Sequence, residues 1–546
     1  MIPETVLLKK RNTTVWPCHG YSCECCATFY FMFNSKANNK MKFNEMLKEA
    51  TATLNHENGV AYTISPEMEL YTAIVTSSLS DKFYESENEQ TKRIAKLISK
   101  VSAEFVAKLA IYTRTEMHLR SVPLLLIVLL AKAHRGDNLV AKTIERVVLR
   151  ADEIMELLMC YQLFNPSEGR KKLGKLSHQV QIGLQRAFNN FDEYQFAKYN
   201  RNNTEVRLRD ALFVVHPKAK DTNQQAIFDK IANNCLSTPY TWETELSALG
   251  QENFENQEQK AEAFRSKWTE LANSKKMGYM ALLRNLRNML EAGVAPATME
   301  QVCNHLSAPE QVRKSKQLPF RFLSAYKELK QVDSISTTTV LNALEDAMRA
   351  SAANIVGFDK QSNVLIACDV SGSMSYTISQ RSKVRLFEVG IVLAMLFRNS
   401  CKNVITGIFG DIWKVTNFPT GSILSGICEM EKHCNEVGFS TNGHKVIEWL
   451  LEKQIIMDKV MIFTDCQMWD STGKKKTFAQ LWHRYKQLAP KAQLYLFDLA
   501  GYRTTPLRTE TNDVFLIGGW SDRIFDVLHN LQNGNSALDT INSIEL

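Results

Sequence analysis

The sequence predicts two joined folds, an α-helical repeat region followed by a doubly wound α/β domain. Three observations carry this expectation. Apolar residues recur at helical spacing over roughly three hundred residues from Glu67. At Asn363 the pattern changes to short β-rich runs alternating with amphipathic helices. A chain of 546 residues also exceeds what one hydrophobic core organises, so at least two domains are expected.

Composition narrows the class. A hydrophobic share of 45% and a charged share of 23% are those of an ordinary globular protein. The greasiest stretch, Val122 to Ala131, is closed by Lys132, His134 and Arg135, well short of the ~18 apolar residues of a membrane span. A net charge of +8 suits a polyanionic partner without requiring one. The cysteines from Cys160 to Cys466 form no CxxC pair, which predicts reduced thiols in a cytoplasmic protein.

Residues 1–43 read differently from the rest. Cys18, His19, Cys23, Cys25 and Cys26 crowd beside Trp16, Phe29, Tyr30 and Phe31. A closed zinc site needs two separated ligand pairs, and this spacing supplies none. No apolar run ends in small residues as a secretory signal would. The segment is expected to be a disordered leader, or to precede a true start at Met41.

Residues 44–358 form the expected helical region. Leu70, Ile74, Val75 and Leu79, then Ile94, Leu97, Ile98 and Val101, mark apolar helix faces. Ser65-Pro66, Ser121-Val122-Pro123, Gly136-Asp137 and Gly293 with Pro296 punctuate them. Helix pairs repeated so often suggest a HEAT-like solenoid, without a strict sequence period.

Four basic sets fall on these helices. One is Lys267, Lys275, Lys276, Arg284 and Arg287, with Arg284 and Arg287 expected on a shared helix face. The others are Arg170, Lys171, Lys172, Lys175 and Arg186; Lys198, Arg201, Arg207 and Arg209 leading to His216-Pro217-Lys218; and Arg313, Lys314, Lys316 and Arg321. In a curved solenoid such residues can line the concave side and follow phosphates. They read equally as solvated faces balanced by intervening acids.

Residues 359–546 form the expected α/β domain. Strands are predicted at 364–369, 404–409, 459–464, 493–498 and 514–517, with helices at 384–398, 423–434, 445–452, 478–488 and 522–531. Ligands of such sheets sit at the carboxyl ends of the strands. There lies Asp369-Val-Ser371-Gly-Ser373, whose carboxylate and alternating hydroxyls can turn toward one point and suit a hard divalent cation such as Mg²⁺. Thr441, before a helix, and Asp465, ending a strand, supply two further oxygens. Hydroxyls in these places also cap helices.

This set resembles the metal-ion-dependent adhesion site of von Willebrand factor A domains, and implies Asp369, Ser371, Ser373, Thr441 and Asp465 as metal ligands. The helical half is similar to the TROVE module of Ro autoantigen proteins, through Arg114-Thr-Glu-Met-His-Leu-Arg120-Ser-Val-Pro123, Gly278-Tyr-Met-Ala-Leu-Leu-Arg-Asn-Leu-Arg287 and Gln317-Leu-Pro-Phe-Arg-Phe322. The resemblance spans about Asn44 to Leu531. It implies a ring of HEAT-like repeats that admits single-stranded ends of misfolded RNA and holds a small Y RNA on a basic surface. An exoribonuclease partner is implied as well, with one protein copy in a ribonucleoprotein. Lys198-Tyr199 and His216 match family positions for RNA contact, with Arg201 between them in a loop of different length. Lys218, Lys276, Arg284, Arg287, Arg120 and Arg321 complete the expected contacts.

No nucleophile and base accompany the metal motif, and His433, His444 and His483 assemble into no triad by spacing. A two-metal nuclease needs a denser carboxylate cluster. The sequence therefore predicts RNA capture and not catalysis. The competing reading is a metal-dependent protein-interaction module with the helices as scaffold; an intrinsic ribonuclease is the outside alternative.

Overall fold

Helix starts in the first half follow local chemistry. In the computed structural model, the described residues are 51–77, 82, 84–165, 175–201, 204–317, 319–351, 361–379, 382–418, 421–474, 476–509, 511, 513–520, 524–532 and 536–546. The leader, Leu79, Arg170, Lys171, Lys172 and the expected boundary at 358/359 lie outside them. Ser65 accepts from the Met68 amide, and Pro66 opens α1 (Pro66–Val75). Ser86 and Glu89 form a capping box on α2 (Glu87–Ile98), and Ser102 caps α3 (Ala103–Thr115). Helix α4 (Ser121–Ala133) is apolar nearly throughout and is buried between α3, α5 (Leu139–Val147) and α6 (Ala151–Phe164).

The series continues through α7 (His178–Phe188), α8 (Glu193–Tyr199), α9 (Leu208–Val215), α10 (Thr222–Ala232), α11 (Trp242–Leu249) and α12 (Gln257–Asn273). It ends with α13 (Tyr279–Glu291), α14 (Pro296–Ser307), α15 (Pro309–Ser315), α16 (Pro319–Leu329) and α17 (Thr337–Ser351). No helix among the described residues is long and apolar enough to cross a membrane.

The expectation of helix throughout the first region fails at its start. Two strands, β1 (Ala52–Leu54) and β2 (Val60–Thr63), pair antiparallel with Leu54 opposite Val60. Asn58-Gly59 supplies the turn, Asn58 standing at φ 58°. Their third strand comes from far along the chain, residues 504–505, with Tyr62 opposite Thr505.

The second half holds a sheet of six strands. In chain order these are β3 (Asn363–Asp369), β4 (Asn403–Phe409), β5 (Trp413–Val415), β6 (Lys459–Thr464), β7 (Gln493–Asp498) and β9 (Val514–Gly518), while β8 (Thr504–Thr505) belongs to the smaller sheet. The spatial order is β5-β4-β3-β6-β7-β9, parallel except for the antiparallel edge strand β5. Helices α18 (Leu386–Arg398), α19 (Ile423–Cys434), α20 (His444–Glu452), α21 (Phe478–Leu488) and α22 (Ile524–Gln532) accompany it, with α23 (Ala537–Asn542) last. A doubly wound sheet places helices on both faces and its ligand at the strand carboxyl ends.

One apolar core runs from Leu70 to Ile541 and includes Ile366, Cys368 and Phe463 of the sheet; a second core, with Leu365, Val460 and Trp482, fills the other face. Both ends of the helical series rest on the α/β domain. At one end α1 packs on β9, Tyr71 donating to the Gly518 carbonyl at 3.3 Å, and α3 meets α23. At the other, Lys327 of α16 pairs with Glu388 of α18 and, at 2.7 Å, with Glu431 of α19. The Glu345 carboxylate of α17 accepts from the Ile423 and Leu424 amides at the start of α19. The helices and the α/β domain thus complete a ring.

Candidate functional sites

A pocket of roughly 450 Å³ opens between α6, α8 and the segment from α11 to α13. Arg120, Arg150, Lys198, Arg201, Lys276 and Arg284 line it, against the carboxylates of Asp152, Glu156 and Glu243. Two of the cations are committed: Arg120 meets Asp152 at 2.8 Å, and Arg150 bonds Asp152 at 2.9 Å and the Tyr199 hydroxyl at 2.7 Å. Among the described residues, Lys198, Arg201, Lys276 and Arg284 have no ion-pair partner, and all four are exposed. An exposed, unmatched positive surface attracts anions.

Aromatic rings alternate with these charges. Lys198 lies 5.9 Å from the Tyr194 ring and 5.7 Å from Tyr199; Lys276 lies 4.5 Å from Tyr240. Trp242 joins them on the wall, and Tyr194 is 46% exposed. Gly278 begins α13 without a side-chain cap, leaving the first amides of that helix to attract anions beside Met280 and Ala281. Arg321 extends the positive field: it is exposed, but surrounding protein and then the like charge of Arg284 hold its guanidinium below the usual range.

Other expected contacts lie elsewhere. Arg287 does not share the pocket with Arg284; it is matched by Glu291 at 2.7 Å and Glu328 at 3.6 Å. A spacing of three offsets two side chains by about a sixth of a turn, enough here to turn Arg287 out toward α16. His216 ends α9 in the left-handed region at φ 51°, and its carbonyl accepts from Gln185 of α7 at 3.1 Å. The Lys218 carbonyl accepts from Asn189 at 3.0 Å. Both are exposed along that separate edge, not in the pocket. Arg186 is paired with Glu145 and Lys314 with Glu310.

The second site is at the carboxyl ends of β3 and β6. Asp369, Ser371, Ser373, Thr441 and Asp465 are all buried, and the hydroxyls of Ser371 and Ser373 are 3.4 Å apart. Backbone bonds join their three loops: the Gly372 amide donates to the Phe439 carbonyl at 2.9 Å, and the Trp469 amide to the Thr441 carbonyl at 3.2 Å. Asp369 accepts from the Ser371 amide at 2.9 Å and from the Thr464 hydroxyl at 2.7 Å.

The donor set fits a hard cation. Asp465 Oδ2 is buried with no hydrogen-bond partner among the described residues, a costly state that a cation would relieve. Burial pushes Asp369 up to about 6, and burial with the negative charge of Asp369 pushes Asp465 up to about 7. No group of three His, Cys, Asp or Glu side chains that could hold a metal stands among the described residues; a cation held here would need hydroxyl oxygens beside the two carboxylates. A mouth of roughly 370 Å³ opens above it, walled by Ser373, Thr441, Asp411, Phe439 and Trp469.

Together these features define a class: a ring of helical repeats closed by a von Willebrand factor A-type domain. The TROVE domain model matches residues 67–238 and 234–367, and the Ro60 vWA domain model matches residues 363–532. The chain belongs to the TROVE family, whose members are RNA-binding proteins not known as enzymes, and this membership supports an RNA-binding ribonucleoprotein role. The chain is similar to telomerase protein component 1 of Rattus norvegicus, at 36% identity over 99 residues, 18% of this chain and 3% of that protein. The Mus musculus protein of that name matches at 35% over the same length and shares. The chain thus spans a small fraction of these curated relatives. The crystal structure of the Deinococcus radiodurans RO (RSR) protein shares the fold, with a TM-score of 0.56 and 17% identity over 86% of this chain and 100% of that one.

Sequence reasoning did not reach Arg150, Tyr194, Tyr240 or Trp242 in the first site, nor Asp411, Phe439 and Trp469 in the second. Tyr240-Thr-Trp242, leading into a helix beside a basic segment, was the available signal for the first group. The second group is assembled by tertiary contact.

Proposed function

We propose that the chain captures RNA by seating an unpaired stretch in the ring pocket. The observation that carries this reading is the alternation of four exposed, unmatched cations with Tyr194, Tyr199, Tyr240 and Trp242 in one concavity. Cations track phosphates, while aromatic faces stack on bases of any identity, so affinity is electrostatic and sequence preference slight. A cavity of roughly 450 Å³ accommodates splayed nucleotides and rejects closed duplex, which selects loose RNA ends. The natural ligands in this reading are misfolded non-coding RNAs with free ends and a small Y-type RNA. His216 and Lys218, on their separate exposed edge, are then outer contacts. The chain would act as a single protein copy in a cytoplasmic ribonucleoprotein, passing RNA to an exoribonuclease for quality control or degradation.

The A-type domain serves a second purpose in this account. Asp369, Ser371, Ser373, Thr441 and Asp465 would hold Mg²⁺, whose chemistry is to bind a further hard oxygen such as a carboxylate. Phe439, 59% exposed, stands at its mouth, where a partner that supplied that oxygen would meet it. The two sites are built from different residues, so EDTA should leave RNA affinity unchanged while Arg284→Ala weakens it. Loss of RNA binding on chelation, with Arg284 dispensable, would overturn the assignment.

A further inference from the structure

The cationic pocket also holds acids, and they are not equivalent. Asp152 is engaged by Arg120 at 2.8 Å and by Arg150 at 2.9 Å, and Glu156 lies 3.9 Å from Arg120. Beyond the lining, Lys267 of α12 bridges Glu245 at 3.3 Å and Glu270 at 2.8 Å, and the Tyr240 hydroxyl donates to Glu270 at 3.0 Å. Glu243 of α11 lines the pocket, is exposed, and has no ion-pair partner among the described residues.

Local structure does not account for Glu243. The start of α11 is already capped: the Thr241 hydroxyl accepts from the Thr244 amide at 3.2 Å, and Thr244 Oγ1 accepts from the Thr241 amide at 3.0 Å. Glu245 supplies another acid to the same first turn, where a negative charge favours the helix dipole. In a groove that only tracked phosphates, a free carboxylate would oppose binding, because like charges repel.

Its sequence neighbours offer stacking surfaces. Tyr240 and Trp242 line the pocket, and Lys276 lies 4.5 Å from the Tyr240 ring. A base stacked on such a ring keeps its edge free for hydrogen bonding, and the segment 240–243 brings one unmatched carboxylate into the same pocket. An ionised carboxylate only accepts. It takes a hydrogen bond from the exocyclic amino group of cytosine or adenine, and meets the O4 carbonyl of uracil with repulsion.

We infer that Glu243 is a specificity-determining residue that makes the pocket prefer amino-bearing bases, cytosine and adenine, over uracil. The inference rests on the RNA reading above and gives its slight sequence preference a direction. Phosphate contacts and stacking, which are indifferent to the base, still supply most of the affinity.

Short labelled strands of cytidine and of uridine, equal in length and charge, separate the base edge from the phosphates, and fluorescence anisotropy at neutral pH with the full chain reads the difference. The wild type should bind the cytidine strand about 5-fold more tightly, the lower end of what one base contact discriminates. In Glu243→Gln the ratio should fall to about 1, chiefly through a gain in uridine affinity, because the amide can donate to O4. Glu156→Gln should keep the wild-type ratio. A cytidine strand with a dimethylated amino group, which has no hydrogen to donate, should bind the wild type no better than uridine does. Equal affinity of the wild type for both strands, with a steep salt dependence, overturns the inference and leaves RNA capture intact. A ratio that survives in Glu243→Gln also overturns it, and a lowered Tm in that variant would then assign Glu243 to the helix start. If neither strand binds, the RNA reading falls and the inference with it.

Discussion

Replacing Lys198, Arg201, Lys276 and Arg284 together with alanine isolates the electrostatic part of RNA capture. None of the four has an ion-pair partner among the described residues and all are exposed, so their removal strands no buried carboxylate. Surface changes of this kind alter stability by about 0.5 kcal/mol or less each. Each phosphate neutralised on a single strand contributes about −0.7 to the slope of log K against log salt, so four contribute about −2.8. Raising salt fourfold, from about 50 to about 200 mM, should then cost the wild type about 50-fold in affinity through this pocket alone. The variant should lose that dependence, and Arg284→Ala alone should lower the slope by about 0.7. Fluorescence anisotropy with a short labelled single-stranded RNA reads both. Equal slopes in the wild type and the fourfold variant would refute the reasoning, because the phosphates would then be held elsewhere.

Three other consequences can be measured with the same material. Tyr194→Ala should weaken binding by about 1–3 kcal/mol, the worth of one base–aromatic stack, with little change in salt slope. Asp369→Ala should remove the rise in Tm that Mg²⁺ gives the wild type and leave RNA affinity untouched; RNA incubated with Mg²⁺ and either protein should remain intact on a gel. Glu193 is pulled down to about 2 by Lys230 at 2.6 Å and by the Ser237 amide and hydroxyl. A depressed carboxylate stabilises the fold above its unfolded value near pH 4.5 and ceases to as pH falls through about 2. Glu193→Gln should therefore cost about 1 kcal/mol at neutral pH, allowing for solvent screening, and nothing near pH 2, as read by chemical unfolding across that range.

Local patterns were the legible part of this protein. The five predicted strands of the α/β domain fall on β3, β4, β6, β7 and β9, because buried parallel strands are continuous apolar runs between polar turns. Edge strand β5, three residues long, carries no such run, so its sequence does not mark it as a strand. Three of the five expected metal ligands share one loop, and the others lie where strand ends must converge, so their meeting follows from topology. Partners that meet only in three dimensions were not legible. Glu328, the second and more distant partner of Arg287 after Glu291, is 41 positions away and on another helix. The pairing of Tyr62 with Thr505, which turns an expected helical start into a sheet, requires the ring to close first. Sequence proximity groups His216 with Lys198, whereas α9 carries it to the α7 edge.

Ultraviolet crosslinking of bound single-stranded RNA, followed by peptide mass spectrometry, tests the central claim most directly. Adducts should concentrate on Tyr194, Tyr199, Tyr240 and Trp242, the rings of the cationic pocket. Adducts confined to Phe439 and Trp469 at the metal mouth, with those four rings unmodified, would contradict it.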